Sequence, residues 1–492
     1  MTDAGFAKML DGYRAAVLRR LLLIAVAITL IDAASVGSSC AAPPVDLSSV
    51  KIAGVPHVKQ KPDFCGEACV EMYLRKLGAG IDQDEVFGQS HLDPALGRGC
   101  YTPELVLALR NLGFKPGEVW YSIPKSDRSE GLDRQFAALH ADLAARVPSI
   151  VCMRYDDSPQ SPEHFRLVLG YDGETDEVLY HEPAVVRGAY LRMPRAKFLR
   201  LWPLKGDAWT VIRLRLEPDH LIEPPARRPD RISSANYAQH IRKLKARLPE
   251  EFTLQLERPF VVLGNESPQT VHERVENTIA WAISRLKRDY FDRNPTEIID
   301  IWLFEDAVTY EAYTQKLFGE KPTTPYGFYS PKHHALVMNI ATGGGTLVHE
   351  IVHPFIAANF PDCPAWFNEG LASLYEQAED RGGHIAGLTN WRLRGLHAAI
   401  RDGNVPSFET LCGTSTREFY DRDRGTNYAQ ARYLCYYLQE QGLLQKFYRA
   451  FRRNAASDPT GIETLKSVLG EEDLAGFKKR WEKYVGQLKF EP

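Results

Sequence analysis

Apolar positions along this 492-residue chain gather into runs of two periods. In the first half, Ile150 to Met153, Phe165 to Leu169 and Val178 to Tyr180 are short runs, punctuated by Pro148, by Gly170-Tyr171-Asp172-Gly173 and by Pro183. Short runs bounded by turn residues predict strands. Val70, Met72, Tyr73 and Leu74 instead follow Cys65 at helical spacing and predict an amphipathic helix that opens at that cysteine. In the second half Phe260 to Leu263 predicts a strand, Pro268 to Tyr290 a long helix and Ile298 to Phe304 another strand. Val348, Val352, Phe355 and Ile356 then share one face of a helix entered from Gly343-Gly344-Gly345, and the tail beyond Asn427 is helical by period. Between the halves, Glu217 to Asp230 holds four prolines and several charges, cannot build a core, and reads as a semi-rigid linker. The pattern predicts an α+β protein of two domains, 50–217 and 233–492, joined by a proline-rich linker, 218–232.

The N-terminus departs from this pattern. Arg14, Arg19 and Arg20 precede the apolar run Leu21 to Ile31, which is too short to span a bilayer comfortably and matches the core of a signal peptide. Residues 1–42 are therefore expected to act as a signal peptide or N-terminal anchor of an exported bacterial protein of the periplasm or cell envelope. Ser38-Ser39-Cys40 forms a poor lipoprotein box that offers Cys40 as a lipid anchor. A formal charge of −3 with 25% charged residues leaves no basic stripe, which argues against a nucleic-acid partner and leaves that first segment, or lipid at Cys40, as the expected membrane contact. The eight cysteines are irregularly spaced. Cys69, Cys100 and Cys152 read as core thiols, and Cys363, Cys412 and Cys435 are the expected pairing set if Cys65 stays reduced.

Candidate chemistry is densest at His349-Glu350-Ile351-Val352-His353. Residues four apart share a helix face, so both imidazoles can grip one metal ion. Glu350, one step round the same turn, can take a proton from water at that ion. Glu369, in Trp366-Phe367-Asn368-Glu369-Gly370, completes a two-His, one-Glu set that favours zinc (Zn2+) and leaves one position open. These residues resemble the gluzincin metallopeptidases with a thermolysin-like core, in a branch whose pentad is followed by the pattern seen here from Pro364 to Ala372. The resemblance implies that Tyr326 to Asn339 holds an edge strand that pairs with extended substrate backbone. It also implies a tyrosine or histidine from the helical half at the oxyanion, with Tyr428 preferred. Pro354, directly after His353, lacks a helical N–H and predicts a kink there.

A second constellation lies in the first half. Cys65 opens a helix, where the backbone dipole is expected to lower its pKa and favour the thiolate. Gln60, five residues upstream, can offer its amide to an oxyanion beside the Cys65 N–H. His164 heads one strand and Glu182 follows the next, so antiparallel pairing would bring a carboxylate to the imidazole. His57 and His181 read as structural. The order Gln60, Cys65, His164, acid resembles the papain-like cysteine peptidases of the bacteriocin-processing family, which cut after double-glycine leaders, from about Val55 to Leu216. The family pattern has aspartate where this chain has Glu182.

Together these features point to an exported peptidase with a cysteine module and a zinc module, acting on peptide or protein substrates. Two alternatives stand beside it: a zinc peptidase whose first half only binds peptide, and a non-enzymatic envelope interaction protein.

Overall fold

Two sheets organise the chain, and each follows from its own hydrophobic pattern. The computed structural model describes residues 47–204, 209–222, 224, 231–322, 324–421 and 426–490. The predicted signal segment 1–42 and Cys40 lie outside the described residues. Among those described, no helix is long and apolar enough to cross a membrane.

The first sheet has seven strands, β1 (Val50–Lys51), β2 (Trp120–Ile123), β3 (Ser149–Arg154), β4 (Glu163–Asp172), β5 (Glu177–His181), β6 (Leu191–Pro194) and β7 (Trp209–Arg215). They lie in the order β2-β7-β3-β4-β5-β6, with β1 also on β4, and every pairing is antiparallel. His164 to Tyr171 are all buried, because β4 is central and covered on both faces. Helix α1 (Cys65–Lys76) packs on β4. Gly66 permits this: a Cβ there would lie 2.7 Å from Leu105 and 3.1 Å from Phe165. The opening of the expected linker is fastened to this half rather than free. Asp219 and His220 donate their N–H groups to Gly113 O at 3.0 and 3.2 Å, and Ile222 donates to Leu112 O at 3.2 Å.

The second sheet runs β11-β12-β10-β9-β8, from β8 (Thr253–Glu257), β9 (Phe260–Gly264), β10 (Ile299–Phe304), β11 (Gly327–Ser330) and β12 (Ala335–Asn339). The inner three strands are parallel and buried, whereas β8 and β11 pair antiparallel at the two edges. One face packs Tyr237, Ile241 and Leu244 of α2 (Ser234–Lys245) against Val261, Trp302 and Val337. The other packs Val262, Ile301 and Leu336 against Leu347, Ile351 and Phe355 of α3 (Gly345–Asn359), with α4 (Ala365–Leu374) and α5 (Thr426–Glu440) in the same core. Helix α2 also touches the first half: Gln239 Nε2 donates to Pro62 O at 2.8 Å, and Arg242 Nε to Asp63 Oδ2 at 2.5 Å. From Ser48 onward the chain forms one compact body.

Helix α3 runs through Pro354 to Asn359, so the proline after His353 does not end it, and Val352, Phe355 and Ile356 around it are buried in the core. Two expectations need correction. The region Tyr326 to Asn339 is a hairpin of two strands, so the free edge belongs to β11 and not to β12. Cys363, Cys412 and Cys435 are unbridged thiols, held in the apolar core of the second half. Burial raises all three well above the ordinary thiol range, so they are inert packing groups.

Candidate functional site

The cysteine centre is assembled by register. Leu167 pairs with His181, which sets Glu182, the next residue, opposite Arg166 and within reach of His164. His164 Nε2 donates to Glu182 Oε1 at 2.5 Å, so the carboxylate engages that nitrogen and not Nδ1. Ala184 N donates to the same carboxylate at 3.0 Å. Burial works against the charge on Glu182, but the bond and charge of His164, then Arg166 and the Ala184 N–H, outweigh it and hold the carboxyl below its usual range. Cys65 stands at the first turn of α1, against the backbone N–H of Phe165, the residue after His164. Gln60 N donates to Pro183 O at 2.9 Å and His57 Nε2 donates to Glu182 O at 2.8 Å, so the segment that carries the glutamine is tied to the one that carries the acid. Gln60 Oε1 is buried without a partner. His181 donates from Nε2 to Val55 O and accepts at Nδ1 from Tyr190 N, a fully committed ring. Its burial lowers the pKa to about 4, as suits a structural histidine.

One expectation fails here. The helix N-terminus does not lower the Cys65 pKa; burial pushes it up to about 12, and the nearby Glu67 carboxylate adds to the rise against the N–H groups of Phe165, Gly66 and Cys65. Glu67 is itself fully buried and pushed up to about 7 by desolvation, with Oε1 accepting from Cys100 N at 2.7 Å and Oε2 unpaired.

The metal-type cluster is built by two helices. His349 and His353 lie one turn apart on α3, and Glu369 comes from α4, so that one ligand atom from each lies within 4.8 Å of the others. His349 Nε2 stands 3.2 Å from Glu369 Oε2, and His353 Nε2 stands 3.9 Å from Glu369 Oε1. Glu369 Oε2 and His349 Nδ1 are both buried, yet neither makes an aligned hydrogen bond. Burial opposes charge on His349, but the carboxylates of Glu369 and Glu376 on either side outweigh it and hold the ring well above its usual range. Burial likewise opposes charge on Glu369, and the histidines with the Tyr420 hydroxyl outweigh that and bring it down. A positive charge is wanted at this spot. Three inward donors and an orphan carboxylate oxygen fit a divalent ion of zinc's preferences.

Two cavities, of about 630 and 1150 Å³, meet at His349, Glu350 and Tyr428, which line both. Tyr329 of β11 lines the smaller, and Tyr326 and Gly327 the larger, so the free strand edge runs past both.

Residues 52–208 match the family model described as "Peptidase_C39 like family". The N-terminal region is thus cysteine peptidase C39-like. That match covers the whole stretch in which Gln60, Cys65, His164 and Glu182 lie. A solved structure, the peptidase domain of Streptococcus ComA, described as a bi-functional ABC transporter involved in a quorum sensing pathway, is 16% identical to the chain. That likeness covers 33% of this chain and 98% of the ComA chain, at a TM-score of 0.22. No curated protein matches the chain.

Several site residues escaped the sequence reading. Asn368 accepts at Oδ1 from His353 Nδ1 at 2.9 Å, which leaves Nε2 facing Glu369. Its place directly before Glu369 was a usable signal. Glu376 lies 3.4 Å from His349 Nδ1 and is gripped by Arg392 Nε at 2.8 Å and Asn390 Nδ2 at 2.9 Å. It stands in the turn just past the end of α4, so helical spacing from Glu369 does not announce it. Tyr420 donates to Glu369 Oε1 at 2.6 Å, a contact between segments that no local spacing announces. Tyr428 lines both cavities, and Tyr420 lines the smaller one beside it.

Proposed function

We propose that this chain is an exported peptidase with two hydrolytic centres, a cysteine centre in the C39-like region and a zinc centre in the second half. The observation that carries the second centre is the gathering of His349, His353 and Glu369, with a buried Glu369 oxygen that makes no aligned hydrogen bond, at the junction of two cavities. These three residues hold the ion, Asn368 orients His353, and Glu376 stands beside His349. When bound, zinc supplies Lewis-acid polarisation of a carbonyl and lowers the pKa of water. Glu350 takes the proton of the attacking water and delivers it to the leaving amine. Tyr428 faces the oxyanion, and the free edge of β11 receives the substrate as an added strand. Peptide or protein is the substrate class, because strand addition reads backbone rather than side chain.

In the first centre, His164 removes the Cys65 proton as the thiol attacks, Glu182 holds the imidazole, and Gln60 with the Cys65 N–H receives the oxyanion. The raised thiol pKa means that this proton moves during attack and not before it. A second reading, in which the first half binds peptide without cutting it, rests on Glu182 standing where the family pattern has aspartate. Export rests on the basic lead and apolar run of the N-terminus.

The test is metal content by elemental mass spectrometry beside cleavage of a peptide library. One zinc per wild-type chain, lost in Glu369→Ala, with cleavage abolished only in part by Glu350→Gln and the remainder by Cys65→Ala, is the expected result. A wild type that stays metal-free after zinc is supplied would overturn the second centre. A thiol-directed peptide epoxide that labels wild type and not Cys65→Ala would rule out the binding-only reading.

A further inference from the structure

His164 and Arg166 alternate on β4 and so project from the same face, where both reach Glu182. Arg166 Nε donates to Glu182 Oε2 at 2.7 Å, while His164 takes Oε1. The rest of the guanidinium is committed to backbone, Nη2 to Tyr155 O at 2.8 Å and Nη1 to Arg154 O at 3.2 Å. Its plane lies over Tyr155 at 5.2 Å and Tyr180 at 5.6 Å, and the edge of Tyr155 packs on the His164 ring at 5.1 Å. Arg166 is only 4% exposed, and so is Glu182. An arginine buried this deeply, with every nitrogen assigned, is rigid.

A glutamate has one more rotatable bond than the aspartate it replaces, and a carboxylate that swings loses the imidazole. Arginine's planar fork removes that freedom because it grips one oxygen from a fixed direction. We infer that Arg166 is a positioning residue of the cysteine centre: it fixes Glu182 through Oε2 so that Oε1 meets His164 Nε2, and it seats Tyr155 against the ring. Glu182 then holds His164 as the Nε2–H tautomer, with Nδ1 turned to the thiol. This rests on the cysteine centre proposed above only where reactivity at Cys65 is concerned; the tautomer is a property of the Arg166-Glu182-His164 network itself.

The test uses the full chain with 15N-labelled histidine. The His164 ring shifts report its tautomer, and the rate of Cys65 alkylation by iodoacetamide is read by peptide mass spectrometry. Arg166→Met removes the charge beside a buried carboxylate and risks unfolding, so Arg166→Lys, which keeps a cation but loses the fork, is measured beside it, with thermal melts for both. In either variant that folds, mixed tautomers and alkylation slowed about tenfold are expected. Adding either substitution to Glu182→Gln is expected to cost less than about twofold more, because the two residues act through one contact. An unchanged Nε2–H tautomer and rate in Arg166→Lys, or fully additive losses, would overturn the inference. If wild-type Cys65 reacts no faster than in His164→Ala, the cysteine centre fails, and the tautomer shifts still decide the role of Arg166.

Discussion

Two histidine–glutamate pairs occupy the two halves of this protein, and they differ in what surrounds them. At His164 and Glu182 the carboxylate oxygens are taken, by the imidazole and Ala184 on one side and by Arg166 on the other. At His349 and Glu369 the groups are as buried but stand farther apart, at 3.2 Å, and Glu369 Oε2 and His349 Nδ1 have no aligned partner. Buried polar atoms are nearly always satisfied, so an unsatisfied one has to be explained. The first pair is complete without any added group and is suited to orienting a ring. The second, with Glu376 on the far side of His349, leaves a buried carboxylate oxygen and an imidazole nitrogen without an aligned hydrogen bond and is suited to holding a metal ion.

This contrast can be broken most directly at Glu350. Glu350→Gln is expected to lower metal-dependent peptide cleavage by about 10²–10⁴-fold while zinc content is unchanged, since a general base is lost and no ligand is. Cleavage and elemental analysis of the same sample check it. Next comes Asn368→Ala, which removes the acceptor that orients His353; zinc affinity is expected to weaken about 10–100-fold, as read by competition with a chelator.

A smaller effect sharpens the cysteine side. Glu67, folded, has its pKa raised to about 7 by burial, so the unfolded chain releases its proton at lower pH than the folded one. Its contribution to stability is therefore present below the unfolded value near 4.5 and is lost as pH rises through 7. Glu67→Gln should melt progressively higher than wild type as pH goes from 5 to 8, with a gap on the order of 3 kcal/mol at the upper end. A gap that does not grow with pH would show that Glu67 is not held protonated. The smallest change concerns the contact between halves. Arg242→Ala breaks a half-exposed pair with Asp63, two residues before Cys65, and is expected to cost under about 1 kcal/mol in denaturant unfolding.

Legibility in the sequence followed the range of each interaction. The helix face that carries His349 and His353 was readable from a four-residue spacing, and the structure has both on α3. The strands at 260–263 and 298–304 were readable as apolar runs and stand as β9 and β10. Glu182 near His164 followed from two strands and a turn, and the register agrees. Arg166 was passed over because its meaning depends on which carboxylate lies across the sheet, and Tyr420 because its partner is 51 residues away. Pro354 does not end α3, and Val352, Phe355 and Ile356 around it are buried in the core.

Charge state was the least legible property. Read locally, Cys65 at a helix N-terminus should be acidic; in the fold, desolvation and Glu67 outweigh the backbone N–H groups. His349 was read only as a metal ligand, and the buried carboxylates of Glu369 and Glu376 beside it hold its pKa well above the usual range. The sequence by itself determined which side chains share a helix face or a strand face, because those periods are set by backbone geometry within a few residues. Only the tertiary structure decided which of them are buried, which carboxylates meet which cations and which oxygen is left unpaired, because solvent exclusion and cross-chain register are products of packing the whole chain.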